Sequence, residues 1–157
     1  MNLSEQTVSI LKNFSTINQN LLVKKGKVLN TMSAMKNIVA KADVEEEFPV
    51  DFAIYDLNEF LSCMSLFEKP QLTFNDDYVV ISETNAKGKK LKYWFSDPSV
   101  VTSPSKELTM PSSEVTFPMD SNILSEVQKA AAVIGAPDMV LESGELKVTD
   151  KKNNNAN

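Results

Sequence analysis

The sixteen basic side chains of this 157-residue sequence are all lysines; histidine and arginine do not occur, and Cys63 is the only cysteine. Imidazole proton transfer and bidentate arginine readout of guanine are therefore absent from its chemistry. A lone cysteine can build neither an internal disulfide framework nor a cysteine-rich zinc site, and its expected role is a small buried apolar group. Asp76 and Asp77 could be imagined as metal ligands, but "NDDY" between two β-rich runs is a turn signature without a matching carboxylate cluster. With four glycines there is no phosphate-cradling loop, and no spacing sets a nucleophile beside a base. We expect no catalytic residues, no metal, no cofactor and no enzyme. What remains is lysine chemistry: attraction to phosphates that does not depend on base sequence.

Twenty-one acidic residues outweigh the lysines and give a net charge of −5, which argues against a simple nucleic-acid coat, so the placement of the lysines matters more than their number. No run approaches the roughly 18 apolar residues of a membrane span, and the start lacks the basic-then-apolar order of a signal peptide, so the expectation is an intracellular protein with no membrane partner.

The elements that must position these groups follow from periodicity. Apolar residues recur at helical spacing from Ser4 to about Thr16, from Asp56 to about Phe67, and from Asp120 to about Ile134. Antiparallel strands are predicted in "NLLVKKGKVLNTM", "NIVAKADV", "PQLTF", "YVVIS" and "KLKYWF". The acidic "DVEEE" reads as a loop leading into a strand "FPVDFAIY". A strand "EVTFP" precedes the third helix, a hairpin turning at Gly144 follows it, and the tail "KKNNNAN" is expected to bury nothing. The Pro-, Ser- and Thr-rich stretch after "KLKYWF" marks a boundary, giving a first domain at 1–100, a linker at 101–112 and a second domain at 113–157.

The three helix starts share one design. Ser4, Asp56 and Asp120 can each accept from free first-turn amides, and Glu59 adds a capping box to Asp56. Apolar pairs Leu3/Val8, Tyr55/Phe60 and Met119/Leu124 bracket the caps as hydrophobic staples. The caps lie 52 and 64 residues apart, so a helix followed by a small antiparallel run is written three times, with the linker in the longer gap. Two units complete the first domain; the second has one, and a fourth of about 50 residues is expected to be missing, since repeat units cover their apolar faces by stacking in sets.

On the first helix the side opposite the apolar stripe carries Lys12 with Ser9, Asn13 and Thr16. On the second it carries Asn58, Ser62 and Ser65, with Lys69 just beyond the end. On the third, Ile123, Val127 and Ile134 define the expected buried side and Lys129 points away. Glu5, Glu59 and Glu126 fall nearer the flanks. The exposed centre of each helix is thus neutral or positive in a chain that is acidic as a whole.

"FAIYDLNEFLSCMSL", with "LKNFSTIN" and "DPSVV", resembles the sliding clamps of T-even-type bacteriophages, the DNA polymerase processivity factors, in order from Leu3 to about Val101; from Glu114 to Thr149 only the element pattern carries the likeness. The resemblance implies an α+β DNA-clamp fold with helices on the inner face and sheets outside, and an incomplete second domain. It implies three subunits closing head to tail around duplex DNA to tether the replicative polymerase, in the cytoplasm of the infected bacterial host. Under it, Lys12, Asn13, Lys69 and Lys129 face DNA. It further implies polymerase, clamp loader and a late-transcription factor as partners, docking short apolar tails, for which Val100, Val101, Leu108 and Met110 are the candidate surface. The plainer readings are that polar residues opposite an apolar stripe suit any surface helix, and that the linker residues simply tie two domains together. The lysine groups 24, 25, 27 and 87, 89, 90, 92 sit in hairpins as ordinary solvated turns. The alternative function is an α+β protein-interaction module that binds no DNA.

Overall fold

The computed structural model describes residues 1–84, 88–105, 112–113 and 116–152, with the backbone of 155–156. Its contacts divide into two units, Met1–Leu108 and Thr109–Asn157.

In the first unit, helix α1 (Glu5–Ile17) starts where the Ser4 hydroxyl accepts from the Thr7 amide at 3.2 Å, and it turns Thr7, Leu11 and Phe14 inward. Helix α2 (Leu57–Ser65) is capped by Asp56, which accepts from the Glu59 amide at 3.0 Å and from Gln19 at 2.8 Å, and it buries Leu57, Phe60 and Met64. The two helices pack against each other. Strands β1 (Leu21–Val23) and β4 (Phe52–Ile54) pair antiparallel, as do β2 (Gly26–Met32) and β3 (Val39–Phe48). Strands β5 (Pro70–Phe74), β6 (Tyr78–Glu83) and β7 (Lys90–Trp94) form a three-stranded antiparallel sheet. An Ala53–Ser96 bridge links β4 to the segment after β7. One core joins these pieces, from Leu11 and Phe14 through Leu57 and Phe60 to Leu72, Val79 and Ile81. Cys63 packs at its margin, and burial pushes its thiol pKa up.

Two predicted boundaries are corrected here. "DVEEE" is not a loop but the second half of β3, because Val44 and Phe48 alternate into the core at 8% and 2% exposure. "FPVDFAIY" is not one strand: Phe48 ends β3, and Pro49, which has no amide to donate, begins an interruption at 49–51 before β4. Asp51 secures that interruption by accepting from the Lys25 amide at 2.7 Å and the Lys24 ammonium at 2.8 Å.

The inward alternation of β3 also directs Glu46 at the start of α1. Its carboxylate accepts from the Ser4 amide and, at 2.5 Å, from the Thr7 hydroxyl, giving the helix start a long-range tie to β3. Burial acts to raise the Glu46 pKa, but these hydrogen bonds outweigh it and hold the carboxyl below its usual range. A pKa lowered by folding adds stability above the unfolded-state value, and that contribution is lost as pH falls through the folded-state value. Glu46→Ala is therefore expected to destabilise this unit by about 2 kcal/mol at neutral pH. The difference from the native chain should shrink below about pH 4, near the glutamate reference value, in urea melts followed by circular dichroism.

In the second unit, helix α3 (Ser121–Ile134) is capped by Asp120, which accepts from the Ile123 amide at 2.8 Å, and ends at Gly135 with φ of 67°. Strands β8 (Asp138–Glu142) and β9 (Glu145–Asp150) form the hairpin, and Ser143 and Gly144, with φ of 51° and 83°, supply the two left-handed positions of its turn. Asn155–Ala156 of the tail forms strand β10 on β9. Two expectations change. Of the predicted strand "EVTFP", Thr116–Pro118 is irregular, and Glu114 and Val115 lie outside the described residues. The buried side of α3 is not centred on Ile123 and Ile134, which are 43% and 44% exposed; Leu124, Val127 and Ala131 are the half-buried side. One helix on a small sheet has less surface to cover it than α1 and α2 have together, and no residue of α3 is fully buried.

Candidate nucleic-acid interface

Lys12 and Asn13 follow Leu11 and precede Phe14, both buried, so the helical period places them on the solvent side of α1. Lys12 lines a cleft of about 430 Å³ with Ser9, Glu68 and Pro70. The chain there is pinned by Glu83, whose two carboxylate oxygens accept from the Glu68 and Lys69 amides at 2.9 and 2.8 Å. The Lys69 carbonyl accepts from the Thr84 amide and hydroxyl, at 3.1 and 2.8 Å. The fold thus brings the chain around Lys69 to the cleft that holds Lys12, and the Lys69 side chain is exposed. Glu5 and Glu68 line the same cleft, so its charge is mixed and not simply cationic.

On α2, Asn58, Ser62 and Ser65 are exposed, and the Ser62 and Ser65 hydroxyls donate back to the carbonyls of Asn58 and Ser62 at 2.7 Å. The two hydroxyls satisfy themselves on their own helix, and with Asn58 they leave an uncharged surface. In the second unit Lys129 is exposed on α3.

The staples differ among the three starts. Leu3 and Val8 both pack against the core, whereas Tyr55 and Met119 are 59% and 41% exposed. The Tyr93 hydroxyl donates to the Asp56 carbonyl at 3.3 Å, and burial pushes its phenol up to about 12, so it stays protonated and acts as a strut for the α2 start.

Of the candidate partner surface, Val100 is 56% exposed at the end of a 3-10 turn, Pro98–Val100. Val101, expected near solvent, is instead buried. Beside it the Thr102 amide donates to Asn20 and the Thr102 carbonyl accepts from Asn18, both at 3.2 Å, which ties this stretch to the first unit. Leu108 and Met110 lie outside the described residues, as does Lys87. Three consecutive glutamates resemble a solvated loop and hide Glu46; the period of two through Val44, Glu46 and Phe48 is the signal that marks its inward side. Among the described residues no cluster of acids and cysteine could hold a metal, and no helix is long and apolar enough to cross a membrane.

Capped helices, each followed by antiparallel strands and each with an uncharged or lysine-bearing exposed side, make a mixed α and β architecture consistent with a sliding-clamp fold. A family model described as DNA polymerase processivity factor matches residues 4–101. The sliding clamp of Vibrio phage KVP40 is 32% identical over 154 residues, covering 95% of this chain and 69% of that protein. The sliding clamps of Escherichia phage RB69 and Enterobacteria phage T4 are 34% and 33% identical over 111 and 114 residues, 69% of this chain and 47% of each of those proteins. The chain belongs to the DNA polymerase processivity factor family. Sliding-clamp function in phage DNA replication is what the family and its named members support, and the DNA-free interaction module is not favoured.

Proposed function

We propose that copies of this chain act within a closed ring around duplex DNA and tether the replicative polymerase, without catalysing a reaction themselves. The observation that carries this reading is the exposure of Lys12 and Lys129 on capped helices of a net-acidic chain of this family. Lysines opposite phosphates attract DNA through counterion release and hold no fixed register along it, which suits a protein that must slide. Retention by encirclement makes tight contacts a disadvantage, so a few lysines per copy suffice. Lys12, Asn13, Lys69 and Lys129 are the proposed DNA-facing residues, with the helices turned inward, the sheets outside, and an acidic exterior that discourages DNA from binding there.

The assembly proposed is a head-to-tail homotrimer, a heterologous contact that closes only if the rotations sum to a full turn. The chain spans less than half the length of two of its three named relatives, and the proposed second domain, 113–157 after a 101–112 linker, corresponds to one repeat unit of an expected two. Clamp loader and late-transcription factors are proposed as further partners; of the candidate docking residues Val100, Val101, Leu108 and Met110, Val100 is the one exposed among the described residues. The proposed setting is the cytoplasm of the infected bacterium.

Retention on DNA of different topology tests the reading. Once loaded on nicked circular duplex the protein should remain bound through a high-salt wash, and it should leave promptly after the circle is linearised. Equal retention on circles and linear duplex would refute encirclement.

A further inference from the structure

Counted from the Asp120 cap, Ile123, Val127, Ala130 and Ile134 are the third, seventh, tenth and fourteenth residues of α3. At about 100° per residue all four fall within about 60° of one another, so they form one apolar stripe along the helix. Ala130 is exposed, Ile123 and Ile134 are nearly half exposed, and Val127 is half-buried. The side of α3 that packs on β8 and β9 is a different one, centred on Leu124 and Ala131 about 80° around the helix, with Val127 between the two. At its start the stripe opens into a cleft of about 560 Å³, which Ile123 lines with Phe117, Met119, Leu141 and Leu146.

The first unit shows what covers such a stripe. The same four positions after the Ser4 cap of α1 hold Thr7, Leu11, Phe14 and Asn18, and all four are buried. Two kinds of element pack on α1: the strands β2 and β3, and the helix α2. Strands β8 and β9 pack on α3, but its unit holds no second helix among the described residues. The cover that α1 has and α3 lacks is therefore a neighbouring helix with an apolar side of its own. Helices α1 and α2 already spend their apolar sides inside the first unit. Among the described helices, the one with a stripe left to offer is α3 itself, on a second copy of the chain.

We infer that two copies of this chain pair off DNA through α3, in an isologous contact in which each stripe covers the other. With the helices antiparallel, Ile134 of each copy reaches the cleft beside Ile123 of the other, and small Ala130 near the middle lets the two backbones approach. Lys129 lies about 130° around the helix from the stripe centre and stays outside the contact. The pairing goes beyond the proposed ring and uses neither DNA nor the head-to-tail contact, so it and the retention experiment can fail separately.

Sedimentation equilibrium of the full chain without DNA, from about 2 to 200 μM, tests the pairing. The mass should rise from 17.4 kDa toward twice that value and level there. Ala130→Glu places a charge at an exposed position in the middle of the stripe; it should weaken pairing at least tenfold and leave the circular dichroism spectrum unchanged. Gln128→Glu adds the same charge at an exposed position about 130° from the stripe centre and should pair as the native chain does. The inference is overturned by a mass that stays at one copy throughout or levels at three, by a folded Ala130→Glu variant that pairs as the native chain does, or by equal loss in both variants. If Ala130→Glu does not fold, hydrogen exchange of the native chain decides: the amides of α3 should gain protection as concentration rises and those of α1 should not, and equal behaviour of the two helices overturns the contact.

Discussion

Replacing Phe52 by alanine should lower the melting temperature of the first unit by about 20 °C. Phe52 is 4% exposed, and its ring lies 4.9 Å from Phe95, 5.1 Å from Phe74 and 5.7 Å from Phe48. Those partners come from three places: Phe48 from β3, Phe74 from β5, and Phe95 from the segment beyond β7. The strands of this unit are hydrogen-bonded as three separate sheets, so side-chain packing at this cluster does much of the joining that a continuous ladder would otherwise do. Deleting a buried phenyl ring costs about 3 to 5 kcal/mol, and here the cavity cannot close without moving strands of different sheets toward one another. Since a domain of this size has a total stability of about 5 to 15 kcal/mol, the variant should lie close to the edge of folding. Phe52→Leu keeps most of the volume and should cost less than about half as much. Thermal melts followed by circular dichroism measure both, and a drop of only a few degrees for the alanine variant would show that the three sheets are held together by other contacts.

Reversing Lys12 and Lys129 together to glutamate should have the largest effect on DNA association. Each lysine that meets a phosphate contributes about 0.9 to the slope of log affinity against log salt, so six such lysines in a proposed ring of three chains contribute about 5. The reversal should remove that dependence and reduce loading at low salt by at least an order of magnitude, while the exposure of both residues leaves folding intact. Lys12→Gln with Lys129→Gln, which removes charge without adding repulsion, should give the same loss of slope with a smaller loss of loading. Salt titrations of association on nicked circular duplex separate the two contributions. An unchanged slope in the folded reversal variant would exclude these lysines from the DNA-facing surface and leave the family membership untouched.

The parts of this protein legible in its sequence are those governed by neighbours along the chain. Ser4, Asp56 and Asp120 cap the three helices because a cap needs only a short side chain and amides two or three residues ahead. The hairpin at Ser143–Gly144 and the sheet of β5, β6 and β7 follow from alternation and turn residues in the same way. Lys12 and Lys129 were identified as solvent-facing from helical period alone, since an amphipathic helix has one side to bury.

Other features depended on contacts between residues far apart in the chain. Three consecutive glutamates look solvated until the start of α1, some forty residues away in sequence, supplies the Ser4 amide and Thr7 hydroxyl that let Glu46 point inward. Val101 sits in what composition marks as linker, yet Asn18 and Asn20 tie the next residue to the first unit. The inward side of α3 departs from the expected one because periodicity gives the direction of an apolar stripe and not how much of it a small sheet can cover. Local rules determined the helix caps, the hairpin turn and the existence of most elements; the inward-facing Glu46 carboxylate, the bounds of β3, the anchored linker and the aromatic junction of three sheets were decided by tertiary structure, because burial and hydrogen bonding are settled by whichever distant group arrives.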